Sequence, residues 1–587
     1  MLRTLFQTKD LKEILAASQD SAHSLRRALG PLQVTLLGVG AIIGAGIFST
    51  IGSAAAGDAA RPGAGPSLML SFVITALVCA FTALCYAEFA SRVPISGSAY
   101  TYSYATLGEL VAWIIGWDLM IEYAIGNVAV AISWSGYFRS LLGNLGIDVP
   151  LWLATDYRTG AKIEGLYEAA PKLFGVPIVC NLLAFLIVMI ITVVLVWGIR
   201  ESARFNAGMV VLKIVVLLAF VAIGISFVPS GQLSANWTPF MPNGFAGTLT
   251  GAAIVFFAYI GFDAVSTVAE ETKNPKRDLP IGIFSSLAIC TLLYVVVAAV
   301  FLGMVPFSTL TGMTAAERSE PLTYALGIVA PQATWASIFV AFGSVVAMTA
   351  VLLVFQMGQP RIFFSMARDG LLPPVFASVH PKYKTPHVTT IATGLVVGLI
   401  ASFTTIDEMV DLTNIGTLFA FVLVCLGIPL LRLQDRRNPE QAAGISGGFR
   451  VPLGPWFLPL LGAASCVGLM VYLPPSSWWR FAGWLVLGLA AYSAYGYSHS
   501  KLGRRQGRPE RVPGILKLAA LGFLVGGVGM MFVLPHDLPA TAMLTALVSP
   551  AEAGRAALGG WLTVGGLGLG VLCWWWFSRR LTSSPAT

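Results

Sequence analysis

Leu37-Gly-Val-Gly-Ala-Ile-Ile-Gly-Ala-Gly-Ile-Phe48 is an apolar run broken by Gly38, Gly40, Gly44 and Gly46. A second run, Phe256-Phe-Ala-Tyr-Ile-Gly-Phe-Asp-Ala-Val-Ser266, carries Gly261 and Asp263 in the same kind of setting. Each lies in a stretch long enough to cross a bilayer, whose hydrocarbon core of about 30 Å takes about 20 apolar residues. Two interrupted spans at matching places in two halves of a chain point to broken helices around a midplane site. An unwound turn there leaves backbone N–H and C=O groups that need partners in a dry environment. A half-helix N-terminus suits a carboxylate and free carbonyls suit an ammonium; an α-amino acid carries both. The competing reading gives these glycines a packing role alone, as small residues that let helices approach.

The rest of the chain has the same character. Of 587 residues, 56% are hydrophobic and 11% charged, against about 25% charged in a soluble protein. The mean hydropathy is +0.78. Spans are expected near 33–55, 66–91, 110–138, 176–199, 205–228 and 245–269, then near 281–305, 333–359, 388–405, 412–431, 456–475, 479–498, 513–534 and 557–578. That makes an all-α polytopic membrane protein of about fourteen helices. The runs show no strand alternation, which sets a β-barrel aside. With the N-terminus inside, 27 of the 36 Lys and Arg fall in cytoplasmic segments and 8 in outer loops, Lys213 being within a span. This is the asymmetry of the positive-inside rule, and it puts both termini in the cytoplasm. It also reads the pI near 9.1 as orientation rather than nucleic-acid binding. Residues 1–32 are expected as a cytoplasmic segment whose start forms an amphipathic helix on the membrane surface. That start has no apolar core of the kind a signal peptide needs.

Four ionisable residues fall at membrane depth, where burial is expensive and function is the default reading. Asp118 and Glu122 are four apart and share a helix face. Asp263 stands beside a glycine break and has two readings, substrate contact or a partner for freed backbone N–H groups. Glu122 is read as a substrate-site carboxylate, against a structural ion pair or hydrogen bond. Lys213 stands about nine residues into its span, roughly 13 Å at helical rise. A lysine there can gain and lose a proton near neutral pH; the alternative is snorkelling to the cytoplasmic edge. Glu88, Glu270 and Glu271 sit at span ends and read as solvated caps. The seven cysteines show no metal-ligand spacing, so neither a disulfide framework nor a metal site is expected. The Gly-x-Gly pieces follow no strand, so no nucleotide loop is expected. All five histidines lie outside the span centres, and no nucleophile cluster stands out. An enzyme and a cofactor are therefore not expected.

Further motifs accompany the two glycine-broken runs. They are Ala83-Leu-Cys-Tyr-Ala-Glu-Phe-Ala90, Gly97-Ser-Ala-Tyr-Thr-Tyr102, Gly116-Trp-Asp-Leu-Met-Ile-Glu-Tyr123, Glu270-Glu-Thr-Lys-Asn-Pro-Lys-Arg-Asp-Leu-Pro280, Gly358-Gln-Pro-Arg-Ile-Phe-Phe364 and Met366-Ala-Arg-Asp-Gly-Leu-Leu-Pro373. Over about residues 25–500 the chain resembles the cationic amino acid transporter family of the amino acid–polyamine–organocation superfamily. The resemblance implies a LeuT-type fold with two inverted five-helix repeats, residues 33–228 and 245–431. About four extra helices over 456–578 and a short cytoplasmic tail at 579–587 would follow. By motif match, backbone N–H groups of Ile42, Ile43, Gly44, Ala45 and Gly46 would hold the substrate carboxylate. Carbonyls of Phe257, Ala258 and Ile260 would face its ammonium. Glu122 matches a third-span glutamate important for transport. Lys213 matches the fifth-span lysine of proton-coupled bacterial members, whose ammonium stands in for a second sodium ion of sodium-coupled relatives. Ala45 departs from the threonine or serine of many relatives, which removes a hydroxyl from the carboxylate site.

The expected function is secondary transport of a cationic or small neutral L-amino acid, in symport with a proton, by alternating access in a bacterial inner membrane. A proton-independent exchanger or facilitator is the alternative, and a non-transporting amino acid sensor a more remote one. The partners implied are the amino acid, the proton and the lipid bilayer, without nucleic acid. A small single-span accessory subunit is compatible with this reading. Side chains of the eighth span, around Ser344 to Val354, are expected to choose between cationic and neutral substrates.

Overall fold

The structure, a computed structural model, describes residues 5, 7–9, 29–58, 61–92, 98–198, 203–383, 385–437, 448–505, 507–509, 512–533 and 554–583. Most of the expected amphipathic N-terminal helix lies outside the described residues. A helix stands at each expected span: α1 (Pro31–Ala56), α2 (Gly65–Arg92), α3 (Glu109–Asn144), α4 (Leu182–Trp197), α5 (Ala203–Phe227), α6 (Gly244–Ala269), α7 (Pro275–Met304), α8 (Thr334–Arg368), α9 (His387–Phe403) and α10 (Ile406–Arg437). Then follow α11 (Phe457–Met470), α12 (Pro475–His499), α13 (Gly514–Met531) and α14 (Gly554–Ser583). Among the described residues nine helices are long and apolar enough to cross a membrane. The pair α11–α12 is bent by 118°, and α4, α9 and the apolar part of α14 (Leu562–Phe577) are shorter. Fourteen crossings would need those shorter helices and both limbs of the bent pair. The only strands described, β1 (Lys172–Leu173) and β2 (Val176–Pro177), form an antiparallel hairpin where the fourth span was expected to begin.

Packing follows from which faces are apolar. Helix α3 lies between α8 and α10; α1 packs on α5 and α7, and α2 on α7. Large apolar side chains such as Leu186, Ile190, Val211, Leu218 and Leu292 stay exposed on outer helix faces. Water would penalise such a surface, whereas lipid tails are indifferent to it. The starts of α1 and α3 and the ends of α2 and α8 share one face, here the lower face. The links at 57–64, 145–181 and 305–333 share the other, upper, face. At the lower face Lys9 Nζ lies 3.0 Å from Asp369 Oδ1, and the Tyr100 hydroxyl donates to Asp369 Oδ2 at 2.8 Å.

Two buried carboxylates anchor the lower face. Glu109, at the start of α3, is fully buried and accepts from Arg508 Nη1 at 2.5 Å, Tyr492 Oη at 2.7 Å and the Ser500 hydroxyl. Glu88 corrects the sequence expectation of a solvated cap. It is fully buried and accepts from Arg432 Nε at 2.9 Å, Arg432 Nη2 at 2.6 Å and Val451 N at 2.7 Å. The reason is that α10 runs on to Arg437, beyond its expected end at 431, and so carries Arg432 alongside α2. Breaking a buried ion pair from one side costs about 3–5 kcal/mol, because the other charge is left without a partner. Glu88→Gln is therefore expected to lower the thermal midpoint of the detergent-solubilised protein by several degrees. An unchanged melting curve would mean that Arg432 finds another anion.

Candidate functional site

The glycine-broken runs do unwind. Helix α1 stops being regular at Ile42, passes through Ile43 and Gly44, and resumes as a π-helical turn over Gly46–Thr50. Helix α6 is regular over Gly244–Val255 and tightens to a 3₁₀ turn over Phe256–Tyr259. It opens at Ile260 and Gly261 and continues as 3₁₀ turns over Asp263–Glu271. Gly261 has φ +122°, a region side chains avoid. The two breaks face each other: a Cβ on Gly46 would lie 2.2 Å from the Ala258 Cα.

Breaking α1 frees carbonyls in a dry interior, and the structure supplies donors for them. The Lys213 ammonium donates to Gly40 O at 2.7 Å and to Ile43 O at 3.0 Å. The Tyr294 hydroxyl donates to Ile42 O at 2.9 Å. Lys213 is 1% exposed, so it does not snorkel. One turn along α5, Val216 packs against Gly343 of α8, so the lysine sits where α1, α5 and α8 are tied together.

The acidic residues behave differently. Asp263 Oδ1 accepts from Gly261 N at 3.2 Å, which satisfies a backbone N–H freed by the α6 break. Glu122 is buried on the α10 side of α3, and its Oε2 has no hydrogen-bond partner among the described residues. Asp118 is fully buried against Gly416 of α10, and neither of its oxygens has a partner there.

Below the breaks lies a cavity of about 140 Å³. Its wall includes Leu37 and Ala41 of α1, Tyr123 of α3, Gly261 and Thr267 of α6, and Val351, Phe355 and Arg361 of α8. None of the eleven residues singled out from the sequence lines it: Ile42, Ile43, Gly44, Ala45, Gly46, Glu122, Lys213, Phe257, Ala258, Ile260 and Asp263. Of these, Gly44 stands just behind the wall, packed on Val351. Sequence reading also missed Arg361, counting it as a loop cation. The eighth span was expected to end at 359, whereas α8 runs to Arg368 and carries Arg361 on the cavity wall. The motif Gly358–Phe364 was the available signal.

Above the breaks the molecule is closed. Ser49 bonds to Ser133 and donates to Ser319 O at 2.6 Å, and the Tyr137 hydroxyl donates to Phe48 O at 2.5 Å. Higher still, Arg61 Nη1 pairs with Asp411 at 2.9 Å and its Nη2 with Asp58 at 3.0 Å. Burial works against the Arg61 cation, but Asp411 and Asp58 outweigh it and hold the guanidinium charged. Burial pushes the nearby Glu320 carboxyl up, while Ser140, Arg139 and Thr323 draw it back. An upper vestibule of about 470 Å³, lined by charges of both signs such as Arg158 and Glu408, lies outside this closure.

Comparison with known proteins identifies the relatives of this chain. The amino acid permease family matches residues 29–491. The branched-chain amino acid permease BcaP of Bacillus subtilis is 44% identical over 502 residues, covering 86% of this chain and 100% of that protein. The methylthioribose transporter of the same organism is 42% identical over 503 residues, with the same shares covered. The vacuolar cationic amino acid transporter 4 of Arabidopsis thaliana is 36% identical over 439 residues, 73% of this chain and 67% of that protein.

Proposed function

Because the chain belongs to the amino acid permease family, we propose that it is a secondary transporter of neutral, apolar L-amino acids, driven by proton symport. The observation that carries this reading is the pair of facing breaks, one of them bound by Lys213. An ammonium bonded to two carbonyls at the α1 break holds that segment only while it is protonated. A proton delivered to Lys213 thereby favours one arrangement of α1, α5 and α8, and its loss favours another. The backbone of Ile42–Gly46 would take the carboxylate, and carbonyls at Phe257, Ala258 and Ile260 the ammonium. The repeats 33–228 and 245–431 would rock around them, with the lower face cytoplasmic and the cell membrane as location. The structure described is then inward-facing, with its upper side closed at Ser49, Tyr137 and Arg61.

The apolar cavity supports the neutral half of the earlier alternative. Its wall is mostly aliphatic and aromatic, and no carboxylate lines it among the described residues. A cationic side chain leaving water would need such a partner. The 44% identity to a branched-chain amino acid permease points the same way.

Purified protein in proteoliposomes should accumulate labelled leucine when an inward proton gradient is imposed, and should accumulate little labelled arginine. Arginine entering faster would overturn the neutral assignment. Leucine exchange that ignores the gradient would replace symport by exchange, and uptake of methylthioribose alone would remove the amino acid reading.

A further inference from the structure

Arg361 is the one charged side chain on the cavity wall, and among the described residues no hydrogen bond or ion pair engages it. Three other cations of the lower face are paired: Lys9 with Asp369, Arg92 with Asp435, Arg432 with Glu88. Arg361 instead opens into the space below the α1 and α6 breaks, with the hydroxyl-bearing Thr267 and Ser365 on the same wall. Arg361 is exposed, and a guanidinium on the wall of a largely apolar cavity can take a carboxylate through two parallel N–H donors. Ala41 and Val351, on the same cavity wall as Arg361, touch Gly261 and Gly44 at the breaks. An amino acid leaving the breaks toward the lower face passes this guanidinium.

We propose that Arg361 is a second carboxylate site, on the release side, which receives the α-carboxylate of the amino acid after it leaves the α1 break. The inference rests on the transport reading and adds a station to it. The site is selective for the carboxylate common to all substrates and indifferent to their side chains.

The test is sided. Labelled leucine is offered to right-side-out and inverted membrane vesicles carrying wild type, Arg361→Gln or Arg361→Lys. Loss of a charge-assisted hydrogen bond should raise the half-saturating concentration of Arg361→Gln in inverted vesicles about tenfold. In right-side-out vesicles the change should stay below about twofold, since the upper route does not touch this residue. Arg361→Lys should recover part of the loss. An equal shift at both faces, or none at either, overturns the inference while leaving the transport reading intact. Inert wild-type vesicles overturn both.

Discussion

Lys213→Ala will abolish gradient-driven accumulation of leucine while leaving the protein in the membrane. The ammonium bonds Gly40 O and Ile43 O, and hydrogen bonds to a charged group are worth about 1.5–3 kcal/mol each. Alanine removes both donors and leaves two carbonyls at the α1 break in a dry interior. A loss of several kcal/mol from the arrangement that holds substrate corresponds to at least about a hundredfold in affinity, at 1.4 kcal/mol per factor of ten. The proton-carrying group disappears with the donors, so the residual flux should no longer respond to the gradient. The measurement is the ratio of leucine uptake with and without an inward proton gradient, in wild-type and mutant proteoliposomes. A mutant that still concentrates leucine along the gradient would move the coupling role elsewhere, with the buried carboxyls of Asp118 and Glu122 the next to test.

Gly46→Ala should be nearly as damaging for a steric reason. The added methyl would lie 2.2 Å from Ala258 Cα and 2.8 Å from Ala258 N, so backbone must move against backbone. Overpacking costs about 1–3 kcal/mol where side chains can adjust, and more where they cannot. Here the strain forces the two breaks apart at the place where substrate is proposed to sit. Leucine uptake is expected to fall by more than about tenfold, with a lowered thermal midpoint. Gly126→Ala is the matched comparison. It sits in α3, where a new Cβ would meet its first neighbour, Thr413 Cγ2, at an ordinary 3.6 Å. Alanine also favours the helix by about 1 kcal/mol over glycine. That variant should transport normally. Equal activity of both variants would show that α1 and α6 do not work in this close contact.

The broken helices were legible because the signal is local. Glycines in an apolar run, repeated near residues 38–46 and 261 at matching places in two halves, point beyond packing, and both runs unwind. Lys213 was legible for the same reason, since one ammonium in Val210–Val216 has to be satisfied inside the protein. What the sequence hid is long-range pairing. Glu88 looks like any glutamate at a helix end until Arg432, 344 positions away, is folded beside it. Arg361 was hidden by a boundary: ending the eighth span at 359 turns a cavity residue into a loop residue, although α8 runs to Arg368. Glu122 shows the reverse. Its position in a motif marked it for the site, but helix rotation turns Tyr123 into the cavity and Glu122 toward α10.

The carboxylate of Glu109 bears on how separable the parts of this protein are. The family match ends at residue 491, yet Tyr492, Ser500 and Arg508, which bond that carboxylate, all come after it. The segment after residue 491 is thus not an appendage that can be detached from a finished transporter: Arg508, in the link between α12 and α13, neutralises the start of the third helix of the core. A shortened version ending near residue 491 leaves the Glu109 carboxylate at the root of α3 without its counter-charge, with Tyr104 still donating to it at 3.3 Å. Trimming the protein to a minimal carrier therefore requires rewriting position 109 in the same stroke.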